Sequence, residues 1–322
     1  MTFNALPAQT TDDYNNKQYF QMANQVNIKK GVFNFSLPFE REMNNVLGMR
    51  SGYTCCLANM HQGWTKFTTH LWYETLGNGL AALHYSPSKV SAKVGTSNTE
   101  VTIDETTSYP FDDVINFEIT TSKDVLFPLE FRIPSWCTEA KILLNGKMLQ
   151  SEQGGKIITI NRKWKNHDKL TLTLPMQITT SNWGRNSRAV ERGPLVYALK
   201  LDEIWKKETD KIEGDYFTVS TNDAWNYGLV DSMITNSTTA MQAAIVKPVS
   251  KNFVWNLLNA PIEITALARK IPSWNIENDV APQPVTARDG LFMGEVDNEV
   301  KKIILVPYGC TKVRIVAFPV VK

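Results

Sequence analysis

From Leu80 onward the chain is a succession of short runs in which apolar and polar residues alternate, and this pattern constrains the fold more than any other feature. Lys141 to Leu144 and Lys156 to Ile160 are short apolar runs of strand length. Val101-Thr102-Ile103, Val114 to Thr120, the LEFRI of Leu126 to Ile133, and Leu170 to Leu174 place apolar side chains two residues apart. That is the period of a strand with one buried face. Ala81 to Tyr85 is a further candidate strand. Lys141–Leu144 runs into Asn145-Gly146, the signature of a type I′ hairpin. Strands this short, separated by turn residues, predict an antiparallel β-sandwich over about 80–180. A second β-rich stretch follows from Arg188. Gly193 to Leu201 reads as a buried strand, and Ile262–Leu267, Lys302–Val306 and Lys312–Phe318 (KVRIVAF) read as later ones. Glu191-Arg192-Gly193-Pro194 is expected to open a strand at a domain junction, and 202–240 is loop-rich. The fold class expected is mainly β, with β-sandwich domains.

Before this region the pattern differs. Leu57, Met60, Trp64, Phe67 and Leu71 recur at steps of three and four. They predict one amphipathic helix of about four turns, closed by Gly77-Asn78-Gly79. One such stripe cannot form a helical domain alone, so it requires a partner surface. Asp12-Asp13 is expected to cap a short helix through Tyr14, Tyr19, Phe20 and Met22. Val32-Phe33-Asn34-Phe35 alternates like a short strand.

Composition narrows the function classes. The chain has 322 residues, 43% hydrophobic and 20% charged, with a formal net charge of +2. These are values of an ordinary globular protein. Its lysines are scattered, which argues against a nucleic-acid or membrane surface. No run approaches the ~20 apolar residues of a membrane span, and MTFNALPAQTTDDYNN does not read as a signal peptide.

The chemistry centres on cysteine. Four cysteines, Cys55, Cys56, Cys137 and Cys310, are too few for a disulfide-stapled fold. Cys137 and Cys310 lie in β-rich contexts and are expected to be buried free thiols. Cys55 and Cys56 are sequence neighbours, for which a mutual disulfide is strained. In SGYTCCLANMHQGW they fall at the start of the expected helix. Free N–H groups there lower a thiol's pKa, and a zinc ion would hold the sulfurs as thiolates. The pair supplies two ligands of the three or four that zinc takes. His61 lies on the helix beyond the first turn and points elsewhere. Spacing alone leaves two readings open: a metal or nucleophile site, and two structural thiols.

The run TCCLANMHQGWTKF, followed by LWYETLGNGLAALHYSPSKV, FRIPSWC, LNGK, ERGPLVYAL and LVPYGCTKVRIVAFP, resembles glycoside hydrolase family 127, the β-L-arabinofuranosidase family. The resemblance implies an (α/α)6 barrel followed by β-sandwiches. Residues 1–79 would then be the truncated C-terminal end of that barrel, 80–187 a first sandwich and 188–322 a second β-rich domain. It implies a retaining glycosidase in which a Glu, a Cys and a vicinal Cys pair hold zinc. Cys55 would be both ligand and nucleophile, forming a glycosyl-thioether, and Cys56 a ligand. His61 and Trp64, beside the pair, become candidates for sugar binding. The implied partner is an arabinose-containing or related plant glycan, and the implied parent is exported. Two departures stand out. No Glu-x-Cys precedes Cys55, and neither Glu40 nor Glu42 matches the family's acid, so this chain alone is expected to be inactive. Asn59 to Trp64 also differs from the best-studied members, which leaves the sugar open. The alternative is a non-catalytic β-sandwich module that binds carbohydrate or serves structure, with inert cysteines. Trp183, Trp205, Trp225, Trp255 and Trp274 are possible sugar-stacking faces, although packing is the commoner use of such residues.

Overall fold

The computed structural model describes residues 2–32, 42–283 and 290–322. Phe33-Asn34-Phe35 of the expected early strand, and Glu40, lie outside them. The fold is mainly β, as the alternation predicts, and divides into two compact units: 64–177, and 1–63 with 178–322.

The unit 64–177 is a sandwich. One sheet has six strands in the order Lys147–Glu152, Ala140–Leu144, Asp168–Thr173, Val114–Thr121, Thr99–Thr107 and Ser88–Val94, all antiparallel. The other has four, Lys156–Trp164, Val125–Ile133, Leu80–Ala82 and Trp72–Glu74, with Leu80–Ala82 running parallel to Val125–Ile133. Alternate residues of the longer strands, such as Thr99–Thr107, Val114–Thr121 and Val125–Ile133, turn inward. Val101, Ile103, Ile115, Phe117, Ile119, Leu170 and Leu172 of the first sheet are buried, as are Phe127, Leu129, Phe131, Ile133 and Trp164 of the second. Phe117 and Phe131 meet with ring centroids 5.1 Å apart, joining the two faces. The Trp164 indole N–H, deep in this core, donates to the Phe127 carbonyl at 3.0 Å, which removes the cost of burying it. Asn145 and Gly146 have φ of 49° and 78°, the left-handed pair of the expected type I′ turn.

The other unit carries two sheets. The smaller has four strands: Lys17–Gln18, Leu47–Gly48, Gly214–Ser220 and Ile204–Asp210. The larger runs Ile178–Asn182, Arg188–Arg192, Leu195–Leu199, Val300–Pro307, Ile262–Lys270, Tyr227–Val230 and Val320–Val321, with Gln242–Ile245 beside Ile262–Lys270. Both sheets depend on distant chain segments. Ile28 bridges Val219 and Gln25 bridges Arg314. The Asn24 side-chain oxygen accepts from Val316 N and Ala317 N at 3.0 and 2.9 Å. Residues 2–32 are thus part of the same compact unit as the C-terminal β region. This differs from the division at 79/80 and 187/188 drawn from the sequence.

Several local expectations are corrected. Among the described residues the α-helices are α1 (Ala5–Ala8), α2 (Thr54–Met60), α3 (Gln62–Thr69), α4 (Asp231–Thr235) and α5 (Ser237–Ala240). The four-turn helix is therefore two short ones that end before Leu71. Thr68 and Thr69 hydroxyls donate back to the Thr65 carbonyl at 2.8 and 3.1 Å, a local competition that favours termination. Gly77-Asn78-Gly79 does not cap a helix. It turns the chain between Trp72–Glu74 and Leu80–Ala82, with Asn78 N donating to Thr75 O at 3.1 Å. Asp13 caps no helix either. Its carboxylate accepts from the Thr11 hydroxyl at 2.5 Å and from Asn15 N at 3.1 Å, which closes a turn instead. Glu191-Arg192 ends a strand and Gly193-Pro194 turns into the next. Lys312–Phe318 is buried but forms no regular strand. Its backbone bonds are divided among Gln25, Leu199 and Arg188, so no one neighbour makes a ladder with it.

Candidate active site

Three residues prepare the start of α2. Ser51 is buried, and its hydroxyl donates to the Lys17 carbonyl. Gly52 has φ +59°, and a Cβ there would collide with the Tyr19 ring; only glycine meets both demands. Tyr53 is extended, at φ −76° and ψ 113°, and its carbonyl accepts from Cys56 N and Leu57 N, both at 3.1 Å. Its ring lies against Tyr19 with centroids 5.5 Å apart. Leu57, 5% exposed, anchors the first turn in the core.

This geometry leaves both thiols outward. Cys55 and Cys56 are exposed free cysteines with sulfurs 3.9 Å apart. The Tyr19 hydroxyl lies 4.0 Å from the Cys56 sulfur, and the Asn59 amide donates to the Cys55 carbonyl at 2.7 Å. Exposure removes the reading of the pair as buried structural thiols. That reading holds for the other two cysteines: Cys137 is 1% and Cys310 0% exposed. Burial raises both, Cys310 to about 12.

The separation of the pair bears on zinc. Tetrahedral zinc with Zn–S of about 2.3 Å sets its sulfurs roughly 3.8 Å apart. The observed 3.9 Å therefore fits one edge of such a tetrahedron without rearrangement. Two donors are half a site. Among the described residues no group of three or more His, Cys, Asp or Glu side chains is placed to hold a metal ion. Glu42 is exposed, and Cys137 and Cys310 stay in their own buried settings.

His61 lies at the C-terminal end of α2 and is exposed. With Thr54, Leu57 and Ala58 it forms one wall of a groove of about 1090 Å³, closed on other sides by Arg50 and Phe217. Positions 54, 57, 58 and 61 share a helix face, and neither cysteine is on it. The structure thus places His61 and the thiols on different faces of the same short helix. Trp64 is half-buried on α3, and its segment belongs to the unit 64–177. Groove charges are mixed: Lys207 pairs with Asp215 at 2.6 Å and lowers its pKa.

Sequence reasoning did not assemble this groove or the one beside it. The second groove, about 690 Å³, is lined by Asp12, Glu203, Trp205, Phe217 and Asn256, among others. These residues come from four separate stretches of chain, and only Trp205 carried a signal, as one of five tryptophans. Three of the five are used for packing. Trp225 and Trp274 meet edge to face at 5.1 Å, and Trp255 meets Phe253 at 5.2 Å. Trp183 and Trp205 are instead 59% and 39% exposed.

The fold is that of solved glycoside hydrolase structures. The chain aligns over 99% of its length with Ara127N-Se, a GH127 β-L-arabinofuranosidase from Geobacillus stearothermophilus T6, at TM-score 0.66 and 18% identity. It aligns in full with a structure described as a glycoside hydrolase at TM-score 0.66 and 17% identity. It also aligns in full with the GH127 β-arabinofuranosidase BT3674, at 0.61 and 15%. At such identities the likeness is one of fold. The chain spans 45%, 47% and 46% of these three chains, about half of each. Residues 79–176 match the family model described as the β-L-arabinofuranosidase GH127 middle domain. Residues 79–176 are therefore similar to that middle domain, and the resemblance drawn from the motifs is borne out. No curated protein sequence matches it closely enough to count as a relative.

Proposed function

We propose that this chain is the C-terminal part of a retaining glycoside hydrolase related to the β-L-arabinofuranosidases, with Cys55 as nucleophile. The chain around α2 would belong to the end of its helical barrel. One observation carries the reading: two exposed, adjacent thiols at the start of α2, their sulfurs 3.9 Å apart. In the first step the Cys55 thiolate bonds to the anomeric carbon as the glycosidic bond breaks, and a general acid protonates the departing oxygen. In the second, water attacks the same carbon, the C–S bond breaks, and retention results. Cys55 and Cys56 would hold zinc, which supplies charge that keeps the sulfur a thiolate near neutral pH and a competent leaving group. Tyr19, 4.0 Å from Cys56, orders the thiol side of the helix.

The acid and the remaining ligands belong to the complete enzyme, so the chain by itself is proposed to be inactive. In the complete enzyme, Cys55→Ser is expected to lower kcat by on the order of a thousandfold or more. Mass spectrometry of the wild type, trapped with a slow substrate, is expected to find the sugar on the Cys55 peptide. Full turnover by the Ser variant would end the proposal. The second reading is a non-catalytic module in which the two exposed thiols do no chemistry. Zinc analysis of the complete enzyme separates the two, because a module needs no stoichiometric metal.

A further inference from the structure

The groove beside Trp205 has a composition that the cysteine chemistry does not use. Trp205 is fixed in position. Its indole N–H donates to Glu203 Oε2 at 3.0 Å, and its ring meets Phe217 edge to face at 6.0 Å and 72°. Glu203 is held in turn by Lys312 N, which donates to its Oε1 at 2.5 Å. Trp205 stays 39% exposed, on a strand that also exposes Ile204, Lys206 and Lys207. A large apolar face kept rigid at the surface loses little entropy on stacking a ligand.

Hydrogen-bonding groups gather around that face. Asp12 accepts from the Asn256 amide at 2.6 Å, which orients both at the groove wall. Asp202 is exposed, and its backbone N–H is tied to Asp223 at 2.7 Å. The two lysines of the groove are already engaged: Lys200 pairs with Glu263 at 2.7 Å, and Lys247 donates to the Leu258 carbonyl. Three carboxylic side chains, Asp12, Asp13 and Asp202, thus line the groove with two lysines that are already engaged, while Glu203 is spent on Trp205 and Lys312 N. Such a wall repels anions and offers acceptors to hydroxyl donors. The volume of about 690 Å³ lies within the usual range for small-ligand sites. Asp13, Asn16 and Phe217 also line the larger groove that reaches His61, so the two form one track.

We infer that this groove is a binding site for a neutral oligosaccharide, with Trp205 as the stacking platform and Asp12, Asp202 and Asn256 as the hydroxyl-binding groups. Nothing in the inference depends on Cys55 or on metal. An indole face takes the C–H face of a sugar ring, and the flanking carboxylates take its hydroxyls. A uronic-acid glycan meets the same wall with the wrong charge.

The test uses the whole chain and calorimetric titration with oligosaccharides of arabinan, xylan, galactan and cellulose, with an oligogalacturonide as the anionic probe. At least one neutral glycan is expected to bind saturably, and the oligogalacturonide is not. Trp205→Ala is expected to weaken binding by about tenfold or more, and Trp205→Phe by only about threefold. Asp202→Asn, at an exposed position that leaves the fold alone, is expected to weaken it severalfold. Trp183→Ala and Cys55→Ser should bind as the parent does. Failure of the nucleophile proposal is therefore distinguishable from failure of this one. Circular dichroism and melting temperature establish that each variant is folded. The inference is overturned if no neutral glycan binds at millimolar concentration, if folded Trp205→Ala and Asp202→Asn both bind like the parent, or if the oligogalacturonide binds as tightly.

Discussion

Glu105 shows how far a single residue departs from what its type suggests. It stands mid-strand in the sandwich, 2% exposed, and accepts from Ser86 N at 3.0 Å and the Ser88 hydroxyl at 2.8 Å. Burial wins over those two bonds and raises its pKa from 4.5 to about 8. The folded-state value lies above the unfolded one. Its stabilising contribution is therefore complete below about pH 4.5 and is lost as the pH rises through about 8. Over that window the protein should lose stability of the order of a few kcal/mol from this group. Glu105→Gln is expected to flatten the dependence and to raise the melting temperature above pH 8, which thermal melts between pH 5 and 9 would check. The cysteines give a second prediction at this scale. Cys55 and Cys56 are exposed, while Cys137 and Cys310 are buried and raised. Titration of the metal-free native chain with a thiol reagent should find two fast thiols, and four in denaturant. Fast reaction of all four in the native protein would contradict the burial. The adjacency of Cys55 and Cys56 was legible in the sequence. Their exposure was not, because it depends on how Tyr19, Gly52 and Tyr53 aim the first turn of α2.

At the scale of elements, legibility followed the burial pattern. Strands such as Val114–Thr121 and Asp168–Thr173 have one face in a core and alternate cleanly, so their period shows. Lys312–Phe318 alternates too, yet Lys312 and Arg314 are as buried as their apolar neighbours. The Lys312 ammonium donates to Pro7 O at 3.1 Å, and the Arg314 guanidinium donates to the Tyr308 hydroxyl at 2.6 Å. Desolvation lowers the Lys312 pKa to about 8. Two buried cations that donate to carbonyl and hydroxyl oxygens imitate the alternation of a half-exposed strand. The stripe from Leu57 to Leu71 misled in the opposite sense, since spacing does not register threonines that end α3 by bonding backward. Turn chemistry was the most direct reading. Gly146 has φ 78°, and a Cβ there would meet nothing within 4 Å. Gly146→Ala should therefore cost only the backbone strain, about 1 kcal/mol. Gly79→Ala should cost considerably more, because its Cβ would collide with the Pro128 backbone. Urea denaturation of the two variants measures the difference.

Across the whole molecule, the least legible feature is that the first thirty residues complete a β unit formed mostly by the last 145. Nothing local announces it, because the contacts join residues nearly 300 positions apart. Gln25 and Arg314 exchange backbone hydrogen bonds at 2.8 and 2.6 Å. Asn24 accepts from two backbone N–H groups, and the Gln25 amide donates to Lys312 O at 2.9 Å. Asn4 donates to Pro194 O and accepts from Val196 N, at 3.0 and 2.9 Å. Removing residues 1–30 would leave those of these groups that are buried unpaired at about 1–3 kcal/mol each, and several such losses are comparable with the 5–15 kcal/mol by which a typical domain is stable. The unit 64–177 is different. It is continuous in sequence, and its core residues come from its own two sheets. Deleting residues 1–30 is therefore expected to abolish the cooperative unfolding of the β unit around 178–322. The segment 64–177, expressed alone, should melt as a two-state sandwich and give dispersed amide resonances. Native-like protease resistance of 178–322 in the deleted chain would show that its core is self-sufficient and that the N-terminal segment only decorates it.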